Sequence, residues 1–383
     1  MRLLSDIWLA RRMAAAFAAL GAGWGGFAAL VPDVKAQVGA SDAEYGAALT
    51  VAAVGLAFAM AIAPRLDARL GRLALPASVG FFGLAWTVPA FMHGTVPFAM
   101  ALFFVAAASG VTDVVMNARV SEAETRTGRP LMNAAHGCFS VAYAIAALLV
   151  GLLREAGLPP GQIMLVPVAA ILALSTLTSV EVEPVGEGAG RVRGLPLLPL
   201  AILGAITLAA FQIEGSIEQW SALHVERTLG GGAAEGSFGP VMLGLTMAIG
   251  RFGGQAVTAH ASNLTVIVLA GLLTALGAFV AAAAPSPMIA HLGFGLLGLG
   301  VSVMAPMALA ETGARAAPGA RTRAISLVAV IGFAGFFIGP PLMGVVSEFV
   351  SLPAAIAMLG LFAIAAAGLA LAMRYGSASQ TAP

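Results

Sequence analysis

Polar positions along this chain come in short clusters separated by apolar runs of about 20 residues, the length of helix that crosses a bilayer. Twelve such runs can be counted, at about 13–32, 43–64, 73–92, 96–117, 133–153, 162–180, 197–220, 238–259, 264–284, 287–310, 324–346 and 353–373. Between the sixth and seventh lies EVEPVGEGAGRVRGLP (Glu181–Pro196), the longest polar, glycine-rich connector. The pattern predicts an all-α membrane protein of twelve transmembrane helices in two six-helix halves, 1–180 and 197–383, joined by a linker over 181–196.

Composition supports lipid as the solvent. Of the 383 residues 60% are hydrophobic and 10% charged, against about 25% charged in a soluble domain. One core cannot hide that much apolar surface from water. The net charge of +1 comes without a basic patch, so no nucleic-acid partner is expected. The single cysteine, Cys138, excludes a disulfide within one chain and argues against a metal cluster. The opening MRLLSDIWLARRMAAAF has arginines before an apolar segment, as a signal peptide would. That segment continues to Val31 without a break, so an uncleaved first span is expected, a cleaved signal being the alternative.

Arginine placement sets the expected orientation. With both termini in the cytoplasm, 16 of the 19 Lys and Arg residues fall on that side, Arg251 at one of its turns among them, and only Lys35, Arg154 and Arg227 fall outside. The halves also echo one another: TRTGRPLMNAAHG before span five and APGARTRAISLVA before span eleven are both short basic turns with glycine. Two six-helix halves around a mid-membrane site make a transporter architecture.

Apart from those at span ends, three acids fall inside predicted spans: Asp113, Glu214 and Glu218. An ionisable group at the bilayer centre costs at least about 2.5–3.5 kcal/mol, so it normally faces a cavity or a partner. In AFQIEGSIEQW (Ala210–Trp220) the two glutamates are four residues apart and share a helical face. Glu214 lies roughly 25 Å along its span and Glu218 one turn further, near the outer interface. Two carboxylates that close in a low dielectric repel, so at least one is expected to be paired or protonated. Glu214 is the sharper candidate for carrying protons or contacting substrate; the structural alternative is a glutamate hydrogen-bonded to a neighbouring helix. For Glu218 a solvated position at the helix end is the favoured reading.

On span four, Asp113 and Asn117 are again four apart, and Asn133 and His136 enter span five at a similar depth. Together they form an expected inner polar cluster, in which a carboxylate beside the imidazole would favour its charged form. The alternatives are a helix-to-helix clamp and a latch between Asp113 and an arginine of the 65–72 loop. Trp24, within GAGWGG (Gly21–Gly26), and Gln212 are weaker cavity candidates: packing between helices is the favoured reading for Trp24, and Gln212 is equally suited to a solute hydroxyl or a neighbouring helix. IGPP (Ile338–Pro341) and Pro306 predict helix kinks, and Glu311 with Arg315 an interfacial ion pair. There is no HExxH, no GxGxxG opening a soluble helix, no Walker loop and no GxSxG elbow, so no ATP site and no enzyme is expected.

Four stretches carry a family resemblance: TDVVMNARVSEAETRTGRPLMNAAHGCFS (Thr112–Ser140), IEGSIEQWSAL (Ile213–Leu223), GLTMAIGRFGGQ (Gly244–Gln255) and IGFAGFFIGPPLMG (Ile331–Gly344). With them the whole chain resembles a major facilitator superfamily transporter, particularly the bacterial YbjJ-like group related to fucose-permease-like carriers. The resemblance implies alternating access, an inner-membrane location and a gating loop between spans two and three. That loop, PRLDARLGRLAL, keeps Arg69, Gly71 and Arg72. Its acid, Asp67, stands one residue early, with Ala68 in the usual slot, which puts the usual latch in doubt. Arg251 belongs to the corresponding later motif, which ends in Gln255 where many relatives carry Asp. The Gly-Pro signature of many drug antiporters is absent from span five.

The sequence therefore leads to a proton-coupled secondary transporter of a small polar solute. Efflux of amphipathic compounds is the alternative, ahead of a passive uniporter or a non-transporting sensor. Glu214, Asp113 and His136 are the expected coupling residues; Asn117, Gln212, Trp24 and Glu218 are the cavity candidates. No cofactor or metal is expected, and the partners are a small-molecule substrate, protons and lipid around a single copy of the chain.

Overall fold

The computed structural model describes residues 2–180, 197–258, 261–316 and 320–379. Among these, every regular element is helical. The chain begins with the short α1 (Arg2–Leu9). It continues as α2 (Arg11–Val38), α3 (Asp42–Leu70), α4 (Ala74–Ala85), α5 (Thr95–Thr127), α6 (Met132–Glu155) and α7 (Pro160–Ser175). After the connector come α8 (Leu197–Leu223), α9 (Ala233–Thr258), α10 (Asn263–Ala282), α11 (Pro287–Arg315), α12 (Arg321–Phe349) and α13 (Leu352–Ser379). The linker read at 181–196 and the side chain of Gln255 lie outside the described residues. Nine segments among the described residues are long and apolar enough to cross a membrane; α3 and α4 count within one of them, and α7 is a shorter apolar helix.

Several helices outrun the apolar stretches that announced them. α2 continues six residues beyond the run ending at residue 32, until Gly39 turns the chain at φ 69°. α5 likewise continues past residue 117 to Gly128 at φ 66°. Hydropathy ends where lipid ends, but a helix ends where a residue can take the left-handed conformation and cap the last carbonyls. α3 starts on a capping box: Ser41 Oγ accepts from the Glu44 amide, and Glu44 Oε2 accepts from the Ser41 amide at 2.9 Å. α11 runs as one helix through Pro306, and α12 through Pro340 and Pro341.

Before the connector α2 packs on α6 and α3 on α5; after it α8 packs on α12, and α10 on α11 and α13. Contacts across the connector run between α6 and α9 and between α3 and α12. Small residues allow the tightest of these approaches. A Cβ on Gly21 would sit 2.2 Å from the Phe139 carbonyl oxygen, and one on Gly25 2.2 Å from that of Tyr143. The glycine-rich GAGWGG is thus the face on which α2 meets α6, as expected where helices associate by packing in lipid. Phe58, Phe104, Ile145, Leu269 and Leu361 stay more than half exposed on the periphery, an apolar surface suited to acyl chains.

Central cavity as the candidate functional site

One end of the bundle is closed by charge. Arg154, at the end of α6, holds Asp33 of α2 through Nε and Nη2 at 2.8 and 2.7 Å, and Glu226 from the turn after α8 through both Nη atoms at 2.7 and 2.9 Å. It also donates to the Ala29 carbonyl at 2.8 Å. Arg227 pairs in a fork with Asp42 at the start of α3, both bonds 2.7 Å. Ser347 of α12 bonds to Asp42 and accepts from Arg227. Glu348 accepts from the amides of Asp42 and Ala43 at 2.8 and 3.2 Å, capping α3 from the other side of the connector. Both arginine clusters therefore tie helices before the connector to helices after it.

Among the described residues, the ion pairs of the opposite end join neighbours on one side of the connector. Arg119 of α5 pairs with Asp67 at the end of α3 and with Glu122, Arg129 with Asp6, and Arg315 with Glu311. The loop acid Asp67 thus pairs with the buried Arg119, in spite of its shifted position. Arg69 and Arg72 stand exposed, and Gly71 turns the chain at φ 53° into the short 3-10 segment before α4. Arg65 caps the Ala61 carbonyl, so the alternative latch to Asp113 is not made.

Between the two ends lies a cavity of about 530 Å³, walled by α2, α3, α5, α6, α8, α9, α11 and α12. Asp113, Asn117, His136, Trp24, Gln212, Glu214 and Glu218 all line it, together with Arg251. Wall residues toward the charged closure, such as Gln219 and Ser216, are buried, whereas Met60, Asp113 and Asn117 near the opposite end are partly exposed.

Three expectations change. Arg251 is not at a cytoplasmic turn: α9 continues beyond it to Thr258, so the side chain projects into the cavity, where Nη2 donates to Glu214 Oε1 at 2.8 Å. Glu218 is not a solvated helix end, because α8 runs on to Leu223 and then through the π-turn His224–Thr228, which leaves Glu218 on the cavity wall. Asp113 and His136 share the wall without bonding each other. Asp113 Oδ1 accepts from Asn117 Nδ2 at 3.0 Å, and the His136 ring packs edge-on against Phe17 at 4.7 Å. Asn133 is not on the wall.

The remaining candidates hold structural partners as well. Trp24 Nε1 donates to Ser109 Oγ at 3.0 Å and its ring meets Trp86 at 5.2 Å, so it packs and faces the cavity at once. Gln212 is 3% exposed and its Nε2 has no hydrogen-bond partner among the described residues. Tyr45 donates to Gln219 Oε1 at 3.1 Å, a further bond across the connector.

The sequence reading missed the closure residues Asp33, Asp42, Arg154, Glu226 and Arg227, and the buried Arg119. A signal existed for two of them. Arg154 and Arg227 are two of the three basic residues that break the arginine bias, and a charge kept on the disfavoured side has a local partner to explain it.

No family model matches the sequence. The chain is 28% identical over 365 residues to an uncharacterised MFS-type transporter of Yersinia pestis, covering 94% of each protein. Its fold superposes on the nucleoside transporter NupG with a TM-score of 0.76 at 12% identity, covering 95% of this chain and 99% of that one. A bacterial homologue of the lysosomal transporter Spinster, solved inward-facing and occupied, gives 0.75 at 13% identity, covering 96% of both. The comparisons support the major facilitator superfamily. The relative and both structural neighbours are transporters rather than enzymes, and multi-pass membrane transport is the supported role. Within that superfamily's fold, the polar groups gathered here line the central cavity between the two sets of helices.

Proposed function

We propose that the protein is a proton-coupled secondary transporter of a small polar solute, of the YbjJ-like or fucose-permease-like kind, in the inner membrane of a bacterium. Residues 1–180 and 197–383 act as the two halves and 181–196 as their cytoplasmic linker. The observation that carries the reading is a cavity holding Asp113, His136, Glu214 and Glu218 with the Arg251 guanidinium, closed at one end by cross-half ion pairs. Acids in such a wet vestibule can exchange protons with one side at a time. With both termini cytoplasmic, the charged closure faces outward and the cavity opens inward, so this is the inward-facing state of an alternating-access cycle.

Efflux of amphipathic compounds is the second reading, favoured by Phe17, Phe139, Phe211, Phe333, Phe336 and Met116 on the same wall. A thermal-shift screen of sugars, nucleosides, organic acids and amphipathic cations identifies the solute, since a ligand of the native form raises its melting point. In proteoliposomes loaded with that solute, uptake driven by a pH gradient is expected to vanish in Glu214→Gln while counterflow exchange persists. Driven uptake that survives both this change and a protonophore would overturn proton coupling.

A further inference from the structure

We propose that Arg251 is the substrate anchor of the cavity and that the solute is a small monocarboxylate, taken up by exchange with Glu214. The inference rests on the proton-coupled reading and gives it a substrate class. Arg251 is the sole Lys or Arg on the cavity wall among the described residues, and its side chain is 12% exposed. Its bond to Glu214 uses one carboxylate oxygen and one Nη2 hydrogen, so the guanidinium does not present its two-pronged edge to that acid. Two other contacts hold it in place without Glu214. Nη1 donates to Ser140 Oγ at 2.6 Å, Ser140 in turn donates to the His136 carbonyl at 3.2 Å, and the Phe139 ring lies 5.8 Å from Cζ.

A guanidinium keeps its charge at any physiological pH, and in a membrane cavity it needs an anion beside it. When Glu214 takes a proton its carboxylate becomes a neutral carboxyl group and the ion pair is lost. A solute carboxylate then occupies the fork, and one proton and one monoanion have entered together. On release the solute leaves, Glu214 gives up the proton and the pair to Arg251 re-forms. A dianion would carry one uncompensated charge toward Glu218 and Asp113, which argues against a phosphate monoester. Gln212 Nε2 and Ser216 Oγ, buried, lining the cavity and without partners among the described residues, offer a donor and a hydroxyl to a polar substituent of the solute. The other titratable groups near the pair are Glu218 on α8, Asp113 on α5, His136 and Tyr143 on α6, and Tyr45 on α3. Among the described residues, the wall segments of α2, α11 and α12 carry none.

The test uses acetate as the minimal carboxylate, acetamide as its neutral counterpart and inorganic phosphate, added to the purified full chain while thermal unfolding is followed. Wild type should bind acetate about tenfold more tightly for each unit the pH falls, the slope of one linked proton. Glu214→Gln should melt lower than wild type and regain stability with acetate at every pH, with acetamide inert and phosphate weaker. Arg251→Gln combined with Glu214→Gln should lose the response. Equal responses to acetate and acetamide, a response that survives in the double variant, or phosphate matching acetate would each overturn the proposal. So would wild-type acetate binding that is absent or flat with pH, an arm that needs no variant to fold. These results would leave proton coupling through Asp113 or Glu218 standing, because the uptake assay tests that separately.

Discussion

Glu226→Gln isolates the charge across the closure. The Arg154 side chain is 1% exposed, that of Asp33 35% and that of Glu226 18%, so the cluster is shielded but not dry. Removing one member of a fully buried ion pair costs about 3–5 kcal/mol, and partial solvation of the carboxylates brings the loss of the Glu226 arm down to about 2 kcal/mol. Arg154 keeps its two bonds to Asp33 and its bond to Ala29, so the fold before the connector is retained. The cost therefore falls on the state in which the closure is made, and about 2 kcal/mol shifts a two-state ratio by roughly thirtyfold. The assay is a spin–spin distance between labels at Ala36→Cys on α2 and Thr228→Cys after α8, both exposed, in a Cys138→Ser background that removes the chain's single thiol. A longer distance population should grow in Glu226→Gln and grow further when Arg227→Gln is added. An unchanged distribution, or equal growth in an Arg119→Gln control at the opposite end, would refute the assignment of these pairs as a closure.

Two further outcomes follow from the packing. Arg119→Gln leaves Asp67 and Glu122 without their buried partner, so the melting temperature should fall by several degrees, an effect of about 2 kcal/mol, while the label distance stays put; a melting curve identical to wild type would show that water already carries those acids. Gly25→Ala drives a Cβ into the Tyr143 backbone, and a monodisperse folded fraction should be lost, whereas Gly253→Ala, with nothing within 4 Å, should behave as wild type in size-exclusion chromatography.

The sequence by itself determined the class of molecule. Apolar runs of spanning length with few charges leave helices in lipid as the stable arrangement, because every backbone group there must be bonded within its own segment. It also pointed to Glu214, Asp113, Asn117, Gln212, His136 and Trp24 as cavity groups, since stranding a polar side chain in an apolar run is costly wherever the helix later packs. What it could not supply was the partner of each charge. Arg251 reads as a turn residue only in the count of arginines by side, although the run 238–259 encloses it, because a charge bias assigns residues to a side of the membrane and does not say which way a side chain faces. Only the packing of α9 against α6 and the direction of its face bring that guanidinium to Glu214 and Ser140. The same holds for Arg154, whose two acids lie 121 and 72 residues away along the chain. Periodicity and composition are local, and so they fix the helices and their solvent; ion pairs between distant segments exist only once the bundle is assembled, and it is the tertiary structure that decides them.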